Sequence, residues 1–176
     1  MKRSMQKQFK SHRISLAAMF TAFSLLFLFL SSILPFGRVT MYFLSSIFIS
    51  GILLEDDFSL ALLSFMATSL LSLLILPDII RVVPFVLFFG HYGIGKKYIE
   101  KIKDKVISFI LKLLYFNICM ALIYFAASSV WSQDLSLDLP LWLIIAIMEI
   151  VFVLYDIAYS KIQEFYWIRI RRWLTR

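Results

Sequence analysis

The residues that could do chemistry in this sequence are a few charged and amide side chains within long apolar runs. Lys112 and Asn117 lie in the run 106–130, and Glu149 and Asp156 lie in the run 141–159. An ionised side chain in hydrocarbon is costly, so such residues are usually paired, protonated or placed on a cavity. The chemistry to look for is therefore charge pairing or the binding of a polar ligand.

Counting from the basic ends of the two runs places these residues in pairs. Glu149 is twelve residues from Lys161, and Asn117 is twelve residues from Lys105. Lys112 and Asp156 are also at roughly matching depth. The sequence therefore predicts a helix–helix ion pair between Lys112 and Asp156, with a Glu149–Asn117 contact above it. Two interpretations stay open: the pairs only fasten two helices together, or Glu149 binds a ligand.

A second polar set is predicted on the outer side of the protein. Arg38, Arg81 and Trp131 fall in or beside the connections on that side, together with several acidic residues. They could bind a small polar solute or form a solvated rim. The candidate ligand-binding residues are Arg38, Arg81, Asn117, Trp131 and Glu149.

Enzyme chemistry finds no support in the sequence. There is no glycine-rich phosphate loop, and no pair of His, Cys or carboxylate residues has metal-ligand spacing. The serines are not in a nucleophile motif. We predict no catalytic residue, no metal and no cofactor.

Composition identifies the class of protein. The chain has 176 residues, of which 61% are hydrophobic, and its mean hydropathy is +0.87. A soluble domain of this size could not bury so much apolar surface. The sequence therefore predicts a single all-α integral membrane domain, 1–176. It comprises a basic leader, 1–13, six spans at about 14–35, 40–54, 58–76, 79–93, 106–130 and 141–159, and a basic aromatic tail, 160–176.

The positions of the basic residues predict the topology. Of the 18 lysines and arginines, 15 fall in the leader, in the segment 91–105 or in the tail, and only Arg38 and Arg81 fall on the opposite side. Positive residues concentrate in cytoplasmic segments, so both ends are predicted to lie in the cytoplasm. The tail alternates aromatic residues with arginine, which we interpret as anchoring at membrane lipid rather than as nucleic-acid binding.

The first span carries small residues in helical register. Ser15, Ala18 and Ala22 share one face, and Ala18 and Ala22 are four residues apart. Such a face lets another helix approach closely in lipid. Two uses are predicted and left open: packing within the bundle, or docking on a second protein.

The chain resembles the substrate-binding S component of energy-coupling factor (ECF) transporters. It shares the length, the six-helix layout with both ends inside, the basic leader and the opening RISLAAMFTA at 13–22. The resemblance implies a multi-pass protein of a bacterial plasma membrane. It also implies that Ser15, Ala18 and Ala22 dock on a transmembrane coupling subunit, which works with ABC-type ATPases. A small solute, such as a vitamin or a precursor, would then enter from outside. The N-terminal histidine of the nickel and cobalt members is missing, so a metal is not the expected solute.

A second family has a similar layout. Membrane scaffold proteins of the bacterial cell-wall machinery, such as the MreD rod-shape family, are similar in length, number of spans and basic ends. They bind proteins and transport nothing. An outward vestibule with a polar floor favours the S component, and a packed bundle favours the scaffold.

Overall fold

The fold is helical throughout the part of the chain that the structure describes. The structure is a computed structural model that describes residues 2–34, 36–55, 57–76, 78–130 and 140–170, and no strand occurs among them. The described residues form the α-helices α1 (Lys2–Ile33), α2 (Arg38–Leu54), α3 (Phe58–Ile75), α4 (Gly90–Ile99), α5 (Lys105–Val130) and α6 (Leu141–Phe165).

Among the described residues, five helical segments are long and apolar enough to cross a membrane. They are Arg13–Ile33, Phe58–Ile75, Ile79–Ile99, Lys105–Ser128 and Trp142–Ile168, and α2 is apolar but shorter, with 17 residues. The prediction of an all-helical protein with several membrane-length segments is confirmed. The apolar surfaces of these helices suit contact with lipid.

The chain divides into two compact units, residues 1–95 and 96–176, with the boundary inside α4. In the first unit, α1 packs against α2 and α3, and α2 also packs against α3. Serine side chains allow the close approach of α1 and α2. Ser24 Oγ lies 2.7 Å from Ser45 Oγ, and each hydroxyl also lies 2.9 Å from the backbone carbonyl oxygen of the other residue. Small polar residues are typical of helix interfaces in membranes.

Aromatic and aliphatic side chains fill the rest of the first unit. Leu28, Tyr42, Ile49 and Phe85 form a buried cluster. Phe48 of α2 stacks on two rings of α1, with ring centroids 5.4 Å from Phe23 and 5.5 Å from Phe27. The interface is therefore held by ring contacts as well as by hydroxyl groups.

A glycine and two aspartates are the N-cap residues of helical segments in this unit. Gly37, with φ of 77°, precedes α2 in the left-handed region that glycine tolerates. The Asp57 side chain accepts from the Leu60 backbone N–H at 3.2 Å, and the Asp78 side chain accepts from Ile80 N–H at 3.1 Å. These contacts satisfy N–H groups that have no partner within their own helix.

The fourth helical segment differs from the prediction, which ended it at residue 93. A 3₁₀ turn at Ile79–Arg81 and a π-helix at Phe85–Phe89 lead into α4, which continues to Ile99. Pro84 lacks a backbone N–H, so the regular α-helical hydrogen bonding is interrupted there. Lys96, assigned from sequence to a cytoplasmic connection, lies on the helix because its charge has a buried partner, described below.

The second unit contains α5 and α6, which pack against each other. Phe116 of α5 stacks on Phe152 of α6, with centroids 4.5 Å apart and planes at 16°. The last helix is longer than the predicted run 141–159. It continues to Phe165, and a π-helix, Tyr166–Ile170, follows it. Tyr166 is buried, whereas Trp167 and Ile168 are exposed.

Candidate functional site

A cluster of four charged side chains lies in the second unit, and Asp156 is at its centre. Lys112 Nζ lies 2.5 Å from Asp156 Oδ2, so the partners predicted from matching depth are in contact. The other carboxylate oxygen, Oδ1, accepts from Lys96 Nζ. The same ammonium group donates to the Asp156 backbone carbonyl at 3.1 Å and to Ser160 Oγ at 2.6 Å. Both oxygens of one carboxylate are thus bound to lysines.

Glu100 completes the cluster at its more exposed side. Its Oε1 lies 3.2 Å from Lys112 Nζ and 3.5 Å from Lys96 Nζ. Lys96 is only 1% exposed, whereas the Glu100 side chain is 43% exposed. Two positive and two negative groups balance, which suits a site with little access to water. The aromatic ring of Tyr159 also lies 5.6 Å from Lys96 Nζ.

Sequence reasoning found only two members of this cluster. It missed the charged residues Lys96 and Glu100, and also Ser160, although the spacing of these residues along their helices indicated possible contacts. Lys96 and Glu100 are four residues apart on one helical face, as are Asp156 and Ser160, and the Ser160 hydroxyl donates to the Asp156 carbonyl at 2.9 Å. Because every charge has an opposite partner, the arrangement suits fastening α5 and α6 to the segment around Lys96.

Glu149 lies in a different environment, seven residues before Asp156 on α6. It is half-buried in a groove of about 470 Å³ that runs between α5 and α6. The other lining residues are apolar: Phe109, Leu113, Ala146, Ile150, Val153 and Leu154. Within the described ranges, Glu149 forms no hydrogen bond and no ion pair.

Asn117 is not joined to Glu149 by a hydrogen bond. Its side-chain Nδ2 donates to the Leu113 backbone carbonyl of its own helix at 2.9 Å, and the residue is exposed. The two residues therefore match in depth along their helices but do not form the predicted contact. Asn117 does continue the helical row formed by Phe109 and Leu113, and so lies one turn beyond the groove on the α5 side.

Of the residues predicted on the outer side, Arg81 is bound to other residues of the first unit, whereas Arg38 is exposed. Arg81 Nε donates to Asp78 Oδ2 at 2.8 Å, and the guanidinium also donates to the Ser32 carbonyl. The Arg81 carbonyl accepts from the Tyr42 hydroxyl at 2.7 Å. Arg38 is exposed and interacts electrostatically with Tyr42. Trp131 lies outside the described residues.

The small-residue face of α1 is turned away from the core of the first unit. Ser15, Ala18 and Ala22 are exposed, whereas Ala17 and Phe20 of the same helix are buried. In this unit, α2 and α3 therefore pack on the other side of α1.

Comparison of the chain with protein-family models, curated proteins and solved structures finds no match.

The remaining sequence expectations concern metals. Among the residues that the structure describes, no group of three or more His, Cys, Asp or Glu side chains could hold a metal ion. The described residues offer a balanced charge cluster, a lone carboxylate in an apolar groove and an exposed small-residue face.

Proposed function

We propose that this protein is the membrane-embedded solute-binding subunit of an ECF-type uptake transporter and that it docks on a coupling subunit through α1. The observation that supports the proposal is the exposure of Ser15, Ala18 and Ala22. Small residues have few apolar atoms to bury in lipid, but they let a second helix come close. The coupling subunit would in turn bind ABC-type ATPases, which drive uptake of a small vitamin-like solute from outside.

The docking face can be tested by adding bulk to it. We expect Ala18→Leu and Ala22→Leu to leave the thermal unfolding of the isolated protein unchanged, because each added side chain points away from α2 and α3. Each change should lower co-purification with the co-expressed coupling subunit and ATPases of the same organism at least tenfold. The measurement is affinity capture followed by quantification of the coupling subunit.

Ala17→Leu is the matched control, since Ala17 is adjacent in sequence but buried. Bulk there overpacks a fitted interface, at a cost of about 1–3 kcal/mol in the free energy of unfolding. The docking proposal fails if Ala18→Leu and Ala22→Leu destabilise the isolated protein as Ala17→Leu does, or if capture of the coupling subunit is unaffected.

We propose six spans with both ends in the cytoplasm. Five segments have the length and apolarity for a span, and α2, with 17 residues, is about 26 Å long, close to the thickness of the hydrocarbon core. An even number of spans agrees with the concentration of lysine and arginine in the leader, the segment 91–105 and the tail.

Cysteine labelling tests this topology in a background in which Cys119 is replaced by serine. We expect a single cysteine at Gln133 to react with a membrane-impermeant reagent from outside. Single cysteines at Lys101 and Thr175 should react only after permeabilisation. Reaction of Gln133 and Thr175 from the same side would show that the number of spans between them is even, which contradicts the proposal.

A non-transporting scaffold of the cell-wall machinery, of the MreD type, is the second candidate. The contacts of Arg81 favour it, because this predicted solute-binding cation is already bound to Asp78 and to the Ser32 carbonyl. A scaffold would also use an exposed α1 face. The identity of the protein captured through that face separates the two candidates: a coupling subunit with ATPases for one, a cell-wall protein for the other.

A further inference from the structure

The two carboxylates of α6 have opposite environments. Asp156 accepts from two lysines, whereas Glu149 has neither a hydrogen bond nor an ion pair within the described ranges. By helical rise, Glu149 lies about 14 Å from Pro140 at the start of the helix, a depth within the hydrocarbon core. An unpaired carboxylate at that depth is costly, which makes the position a candidate functional site.

The shape of the groove around Glu149 suits a helix. Its walls are rows of residues three or four apart on α5 and α6, and Ile150 and Leu154 are 62% and 63% exposed. Two adjacent helices form a long furrow into which the side chains of a third helix can pack. Ala146, the small residue of the wall, permits close approach beside Glu149.

The polar groups at the groove identify the chemistry of its occupant. The Glu149 carboxylate is an acceptor when ionised, and Asn117 has its side-chain carbonyl oxygen available, because the amide Nδ2 donates to Leu113. Both residues lie at similar depth. A carboxylate in an apolar furrow, with a second acceptor one turn beyond it on α5, calls for a donor with positive charge.

We propose that this groove binds a transmembrane helix of a partner protein and that the partner helix carries one lysine or arginine at the level of Glu149. Lipid tails can fill the groove but cannot neutralise the carboxylate. A second copy is a poorer fit, because Lys96 and Lys112, the lysines buried in this unit, are both bound to Asp156. The surface belongs to the second unit, so the proposal does not depend on docking through α1.

A designed peptide tests the proposal without knowledge of the partner. The probe is a leucine–alanine transmembrane peptide with one central lysine, and the matched peptide has leucine at that position. The full-length protein carries a fluorophore on Lys161→Cys in a Cys119→Ser background, and energy transfer to the labelled peptide is measured in phosphatidylcholine vesicles. We expect the lysine peptide to bind at least tenfold more tightly than the leucine peptide.

Variants of the carboxylate give the decisive comparison. Glu149→Gln keeps the shape and removes the charge, so it should abolish the preference for lysine without lowering the melting temperature. Glu164→Gln, which changes an exposed carboxylate of the same helix, should have no effect. Glu149→Lys should instead favour a peptide with a central glutamate.

Several results would overturn the proposal. Equal binding of the lysine and leucine peptides would mean that only the apolar walls are used. A lysine preference that survives Glu149→Gln would place the contact elsewhere. Self-association of the protein that is lost in Glu149→Gln, with no peptide preference, would assign the groove to a second copy.

Discussion

Replacing Asp156 with alanine is expected to lower the free energy of unfolding by about 3–5 kcal/mol, the typical cost of leaving a buried charge without its partner. One substitution removes a carboxylate that is bound to two buried lysines, Lys96 and Lys112, and leaves only the more exposed Glu100 beside them. Unfolding in mixed detergent micelles, followed by circular dichroism, gives the measurement.

A double-mutant cycle attributes that loss to the contact itself. Lys112→Ala alone should also destabilise the protein, and the double variant Lys112→Ala/Asp156→Ala should cost less than the sum of the two. The exposed pair Lys161–Glu164, 3.3 Å apart on the same helix, is the control. Its cycle should give a coupling energy below about 0.5 kcal/mol. Strict additivity for Lys112 and Asp156 would show that their contact contributes nothing.

Adding a single methyl group at Gly51 is expected to destabilise the first unit by about 1–3 kcal/mol. A Cβ atom built there would lie 2.8 Å from Cε2 of Phe20, which is closer than carbon atoms approach in proteins. Phe20 is itself buried, so its ring has little room to move. The measurement is the free energy of unfolding of Gly51→Ala in the same micelles.

The companion variant at this contact is Phe20→Leu, which shortens the side chain that meets the added methyl. Alone it should destabilise by leaving space beside Gly51. Combined with Gly51→Ala, it should cost less than the sum of the two changes, because the methyl then occupies space that the ring has vacated. A Gly51→Ala protein as stable as the original would contradict the close packing of α1 on α2.

The helices were predictable from the sequence because continuous apolar runs are a strong signal. One contact between helices could also be predicted from these runs. Lys112 and Asp156 could be matched because depth along an antiparallel helix pair follows from residue counting. Glu149 and Asn117 have the same match in depth but are not hydrogen-bonded. Counting residues gives the position of a residue along the helix axis. The direction of its side chain, however, turns by about 100° with each residue.

The burial of Lys96 on a helix was not predicted, for a reason specific to membranes. A lysine near the end of an apolar run is normally counted as cytoplasmic, since burial without a counterion is costly. Its counterion, Asp156, lies 60 positions later in the sequence, and no local pattern connects the two. The orientation of α1 was undetermined for a related reason. Ala17 and Ser24 are as small as Ala18 and Ala22, and only the packing partners decide which face is buried.

The two-lysine cluster also imposes an order on biogenesis. Lys96 and Lys112 leave the ribosome before Asp156, and Lys96 precedes it by 60 residues. At about 5–20 residues per second, some 3–12 seconds pass between the synthesis of Lys96 and that of Asp156. During that interval the two lysines have only the Glu100 carboxylate beside them, so their charges are balanced only when α6 arrives. A chain truncated before Asp156 keeps two lysines with only the Glu100 carboxylate beside them, a charge imbalance that the finished protein does not have.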